Sequence, residues 1–127
     1  MSGIGAVVYA KDHRLVTAFY AAVLDMATVE VEDDFALLQS DDTELVVVRI
    51  PEEIAAEIDI AEPPVRRGEQ TVKAVFGVSS IADARAVAPR FGGIVDPPEA
   101  ERSFRDAVVC DGHDPEGNVF QLRQLEP

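Results

Sequence analysis

The order of hydrophobic periodicities in this 127-residue chain occurs twice, and that repeat limits the available folds more than any single motif. Ile4 to Ala10 is an apolar run long enough for a strand and too short for a typical helix. Asp12 stands where a side-chain oxygen can accept from the free amides of a first helical turn. Leu15, Ala18, Phe19, Ala22 and Val23 then recur at helical spacing, which predicts an amphipathic helix over 13–24. Three strands are expected next, at Val29–Glu32, Phe35–Gln39 and Glu44–Ile50, parted by Asp33-Asp34 and Asp41-Asp42. Pro51 to Gly68 is irregular, with a short helix expected through Ile54, Ala55 and Ile58 and a break at Pro63-Pro64. The order then starts again. A strand over Thr71–Val78 leads to a Ser79-Ser80 cap and a helix from Ile81 to Phe91, stopped by Gly92-Gly93. Short strands follow around Ile94-Val95, at Phe104–Cys110 and at Asn118–Gln124. At an offset of 68, Ala6-Val7-Val8 falls on Ala74-Val75-Phe76, Asp12 on Ser80 and Asp25 on Gly93. This predicts an internal duplication, with modules over about 1–60 and 69–127 of one domain. Neither half would bury enough surface to stand alone, so the irregular stretch reads as a connector within the domain.

Hydrophobic residues make up 47% of the chain, enough for a buried core. Eleven Lys and Arg against 24 Asp and Glu leave a net charge of −13, which repels phosphate backbones and anionic lipid. Neither nucleic acid nor membrane is therefore expected as a partner. The lone Cys110 excludes an internal disulfide framework and a Cys-rich zinc site. No apolar run reaches the roughly 18 residues of a membrane span. Met1-Ser2-Gly3-Ile4 carries no basic segment followed by an apolar one, so no secretory signal is read there and a cytoplasmic protein is expected.

Asp12, Phe19-Tyr20 and Val23-Leu24-Asp25 together resemble the D-x6-FY-x2-VLG helix of the vicinal oxygen chelate superfamily. Asp114 to Leu122, DPEGNVFQL, resembles its closing DPDGNxxEL hairpin, the more specific of the two motifs. That superfamily contains glyoxalase I, bleomycin-resistance proteins, extradiol dioxygenases and fosfomycin-resistance enzymes. The resemblance spans nearly the whole chain. It implies an α+β fold of two βαβββ modules forming an open, cup-shaped mixed sheet. It also implies a homodimer, with clefts close to or across the subunit contact.

Strand alternation separates cup-facing from helix-facing residues independently of the family. It assigns Gly5, Val7 and Tyr9 of the first strand to the cup, with Leu45, Val47 and Arg49 of the fourth. In the second module it assigns Thr71, Lys73, Val75 and Gly77, then Val119, Gln121 and Arg123. Tyr9, Val47, Arg49, Lys73, Val75, Gln121 and Arg123 are accordingly the candidate ligand-binding residues, with Phe35 and Phe104 as further aromatic wall. Lys73, Arg49 and Arg123 group cations where a carboxylate or other anion would be favoured. The competing reading places these three at the sheet rim, paired with Glu44, Glu30 or Glu126. A one-residue slip would invert any strand's assignment.

Metal-dependent members of the superfamily hold a divalent ion at four cup positions, which the shared motifs place here at Gly5, Val47, Lys73 and Gln121. Gly and Val have no donor atom, protonated Lys is a poor ligand, and Gln121 offers a single amide oxygen. No metal or other cofactor is therefore expected, and the superfamily's usual Lewis-acid chemistry lacks its ligands. His13 is expected on the surface of the first helical turn. His113 lies between Asp111 and Asp114 in sequence, where an Asp–His pair could orient a base, although a loop histidine bonded within its turn is the simpler reading. Cys110 reads as a small buried hydrophobe. No nucleophile elbow or phosphate-cradling glycine motif occurs, and the absence of Trp removes the broadest stacking surface.

The leading expectation is a metal-free, glyoxalase/bleomycin-resistance-like protein that binds a small organic ligand for sequestration, sensing or resistance. A metal-dependent lyase, isomerase or dioxygenase with non-standard ligands is the alternative. An interaction module without a ligand is a third class.

Overall fold

The computed structural model describes residues 4–125. Met1–Gly3, at the start of the segment considered for a signal, and Glu126, considered as an ion-pair partner, lie outside the described residues. The chain runs β1 (Gly5–Ala10), α1 (His13–Leu24), β2 (Ala27–Val31), β3 (Phe35–Gln39), β4 (Glu44–Arg49), α2 (Glu52–Ala55), β5 (Ala74–Gly77), α3 (Ile81–Val87), β6 (Ile94–Val95), β7 (Arg102–Phe104), β8 (Ala107–His113) and β9 (Val119–Leu125). The segment expected as one strand over Phe104–Cys110 is a hairpin instead. Arg105 takes a left-handed φ of 56° and turns the chain between β7 and β8.

Two sheets result, one ordered β1-β4-β3-β2 and the other β5-β9-β8-β6, with β7 also paired to β8. Each first strand pairs in parallel with the last strand of its own module, and the helix makes the crossover. The duplicated positions behave alike at the helix starts. Asp12 accepts from the Leu15 amide at 3.2 Å and Ser80 from the Asp83 amide at 3.1 Å. The ends differ by one residue. Asp25 closes α1 in the left-handed region, whereas Gly92, not Gly93, does so after α3, because residues 88–91 tighten into a 3-10 turn. Gly93 serves close packing: a Cβ there would lie 2.4 Å from the Phe19 ring.

The buried faces of both sheets converge on one core around α1. Val16, Phe19, Tyr20, Leu38, Leu45 and Val47 meet Phe76, Ile81, Ala84, Cys110, Phe120 and Leu122. Phe19 and Tyr20 join the modules through ring contacts to Phe120 at 5.8 and 5.7 Å, and Tyr20 reaches Phe76 at 6.0 Å. Since both sheets turn their apolar faces to this shared core, their opposite faces point outward.

The Asp114–Asn118 hairpin locks this arrangement. Asp114 is fully buried, and its Oδ1 accepts from the amides of Glu116 (2.8 Å) and Asn118 (3.1 Å). Its Oδ2 accepts from the Tyr20 hydroxyl (2.8 Å) and Asn118 Nδ2 (2.9 Å). Burial, reinforced by the Asp114 charge and hydrogen bond, pushes the Tyr20 phenol well up, so it stays a donor. Glu116 reaches across to the start of α1, where its two oxygens accept from the Lys11 and Asp12 amides, each at 2.7 Å. Gly117, at φ 84°, lies against the connector, where a Cβ would sit 2.2 Å from the Val65 carbonyl oxygen. Glu116→Ala should lower the unfolding free energy by about 2–3 kcal/mol in urea titration, because two amides lose a charged acceptor. A loss under about 0.5 kcal/mol, the usual scatter of surface changes, would show that water replaces the carboxylate freely.

Candidate functional site

The outward faces of the two sheets carry the candidate site, and strand pairing fixes their membership. In the first sheet Gly5 opposes Glu44, Val7 opposes Val46 and Tyr9 opposes Val48. Phe35, Leu37 and Gln39 then oppose Val48, Val46 and Glu44. The open face is therefore Val7, Tyr9, Phe35, Leu37, Val46 and Val48, with Glu30 opposite Leu37 on the edge strand and Gln39 and Glu44 joined at one end by a 3.1 Å hydrogen bond.

Two predicted residues do not belong to it. Val47 pairs with Val8 and is fully buried in the core, as is Leu45 opposite Ala6. The Leu45–Val48 run is apolar throughout, so alternation could not set its phase, and the parallel register with β1 does. Arg49 moves with it. Its guanidinium donates to the Asp33 carbonyl at 3.4 Å, in a hollow of about 470 Å³ that it lines with Lys11, His13 and Arg14 at the start of α1. His13 is also corrected: it is buried, with Nε2 2.8 Å from the Glu32 carbonyl oxygen.

The assignment for the second module matches the register. Val75 and Gly77 lie opposite Gln121 and Arg123, and these oppose Asp111 and Val109 on β8. Phe104 and Arg102 continue the face on β7. Lys73 joins it through an ion pair with Asp111 at 2.8 Å, and Arg102 approaches the other Asp111 oxygen at 3.9 Å. Arg123 donates to Gln121 Oε1 at 3.2 Å and lies 5.1 Å from the centre of the Phe104 ring. Asp111, rather than Glu44 or Glu30, is thus the partner of Lys73, and Arg123 has no carboxylate partner among the described residues. Tyr9, Val75 and Leu125 remain 64, 46 and 70% exposed, so both faces are open in a single chain. A groove of about 730 Å³ where the modules meet is lined by Phe76 and Gly77 of β5, by Arg123, Gln124 and Leu125 of β9, and by helix ends and turns that include Asp25, Asp42 and Asp83.

The positions expected to hold a metal do not fit one. Val46 and Val48 replace Val47 on the face and bring no donor, and Lys73 sets an ammonium against the nearest carboxylate, Asp111. Among the described residues, no group of three His, Cys, Asp or Glu side chains converges on a possible ion.

His113 is not paired with either neighbouring aspartate. Its Nδ1 accepts from Arg66 Nε at 3.1 Å, so the ring proton belongs on Nε2. Arg66 is in turn bidentate to Asp96, at 2.9 and 2.5 Å, and this hydrogen bonding holds the guanidinium charged. The connector that supplies Arg66 has no periodicity, so the sequence carried no signal for this contact. Cys110 is fully buried, and burial pushes its thiol up despite the nearby Arg85.

The architecture has counterparts among solved structures. A glyoxalase/bleomycin resistance protein/dioxygenase family enzyme from Burkholderia phytofirmans PsJN superposes with a TM-score of 0.69 at 18% identity, covering 96% of this chain and 97% of the other. A glyoxalase/bleomycin resistance protein from Albidiferax ferrireducens gives 0.67 at 18% identity, with 98% of both chains covered. The chain has the glyoxalase/bleomycin-resistance/dioxygenase fold. TnmS3, an antibiotic binding protein from Streptomyces sp. CB03234, shares that fold at a TM-score of 0.63 and 18% identity, over 99% of this chain and 98% of that one. No family model matches the chain, and no curated protein matches it by sequence.

Burial, then the Arg66 charge, lowers the affinity of His113 for a proton below the ordinary imidazole range. Above about pH 6.5 the ring is neutral in both folded and unfolded chains, and folding carries no penalty from it. As pH falls below that value the unfolded chain takes up a proton that the folded site resists, so stability is lost until the folded site also protonates. Urea midpoints measured at about pH 7.5 and about pH 5.5 should therefore fall more for the native chain than for His113→Gln. Equal falls would remove His113 as the source.

Proposed function

We propose that the protein binds a small organic molecule in a cup formed between two copies of the chain. The carrying observation is the unlike chemistry of its two open faces. The first sheet presents an apolar centre with Glu44 at its end. The second presents Lys73, Arg102 and Arg123 around the single carboxylate of Asp111. Two such sheets back to back in one chain cannot close on each other. A two-fold axis sets the first sheet of each copy against the second sheet of the other and generates two equal clefts. The faces then complement each other in charge as well as in polarity. The antibiotic-binding protein that shares the fold supports this reading, in which the cup serves capture, sensing or resistance.

Metal-dependent turnover in this cup would need donors that Gly5, Val46, Val48 and Lys73 do not provide. Capture of the ligand is therefore the reading the side chains favour. It involves no protein part that crosses a membrane by a long apolar helix, since none exists among the described residues. The compartment proposed is the cytoplasm, in keeping with the one thiol, Cys110, held unpaired in the core.

Sedimentation at high micromolar concentration should give twice the 13.7 kDa chain mass. Tyr9→Glu on one face and Val75→Asp on the other should each return the protein to a monomer without loss of circular dichroism, because both side chains lie outside the core. A native chain that sediments as a monomer would defeat the proposed cup.

A further inference from the structure

We infer that the ligand is a carboxylic acid with an apolar body, bound through its carboxylate by Arg123; this rests on the two-copy cup proposed above. Several cations on or near the second sheet are already answered by a carboxylate, and Arg123, on its open face, is not. Lys73 has Asp111 at 2.8 Å, Arg66 has Asp96 and Arg85 has Glu101 at 2.5 Å. Arg123 has no carboxylate partner among the described residues. One of its Nη groups is spent on Gln121, its Nε is buried with no partner, and the Phe104 ring supports its plane. A guanidinium has five N–H donors in a fixed fork that matches the two oxygens of a carboxylate. Gln121 and Phe104 hold that fork in place before a ligand arrives, which lowers the ordering cost of binding.

The neighbouring groups narrow the class. Asp111 stands on the same face, and one of its oxygens is buried without a hydrogen bond. A second negative charge on the ligand would meet it, which disfavours phosphate and dicarboxylates. A cationic ligand would meet three positive side chains. Opposite, the first sheet of the second copy offers Val7, Phe35, Leu37, Val46 and Val48 around one hydroxyl, that of Tyr9, with Glu30, Gln39 and Glu44 toward its margins. A sugar or nucleoside would leave most of its hydroxyls unpaired against the five apolar side chains, whereas a ring or branched chain would be buried favourably.

Phenylacetate is the probe, with phenylacetamide, phenethylamine and acetate as matched controls, titrated calorimetrically into the native protein. Phenylacetate should bind, and the amide at least about tenfold more weakly, a difference of about 1.4 kcal/mol. Acetate, lacking the body, should not saturate. Arg123→Gln should bring the acid and amide affinities together, and Arg123→Lys should keep part of the preference. Equal or tighter binding of the amide or amine overturns the carboxylate assignment. So does a sedimenting dimer that binds none of the arenes, and in both cases the two-copy cup stands. A monomer by sedimentation instead overturns the cup and this inference with it.

Discussion

Two carboxylates of one turn decide how the modules meet. Asp114 is buried with four donors on its two oxygens, one of them from Tyr20 in the middle of α1. Glu116 takes two amides at the start of the same helix. A helix from the first module is thereby fixed at two points to a hairpin of the second. A buried anion without these donors would be costly, so the turn and the helix each require the other. The ring contacts of Phe19 and Tyr20 to Phe120 add non-directional packing around bonds that already set the alignment.

That alignment has a functional consequence. Packing both sheets onto α1 and α3 uses their apolar faces for folding and leaves the other two faces outward. The side chains that make the candidate site attractive, Tyr9 and Phe35 on one sheet and Arg123 and Gln121 on the other, are therefore on opposite sides of a single chain. The interaction that stabilises a single chain is also the one that keeps the two faces apart within it, so the proposed cup requires a second copy.

Local patterns made most of the elements legible. Asp12 and Ser80 were readable as caps because capping depends on residue type and position alone. The second module's face was readable because Phe120 and Leu122 alternate with Gln121 and Arg123. Val47 and Arg49 were misplaced because Leu45, Val46, Val47 and Val48 contain no polar residue to mark the phase, and a strand's phase there is set by a neighbour 39 residues away. His13 was misplaced because its partner is the backbone carbonyl of Glu32, just after β2, which no side-chain pattern reveals. The closing hairpin was visible as a signature, yet its work was not. Only the tertiary contacts show that Asp114 and Glu116 are acceptors for α1, which is why those acidic residues carry no chemistry of their own.

The net charge of −13 bears on which anion could use the cup. Repulsion from the whole surface grows with ligand charge, but salt screens exposed charges beyond about 8 Å at physiological strength. A monoanion would therefore meet a modest penalty on approach, and the proposed contact is with a side chain, Arg123, that already has one guanidinium nitrogen out of water. Each further charge raises the long-range cost and also meets Asp111 at short range. In the proposed cup the acidic surface and the cationic face would act as successive filters. The first would discriminate against multiply charged metabolites, and the second against ligands with no negative group to offer Arg123.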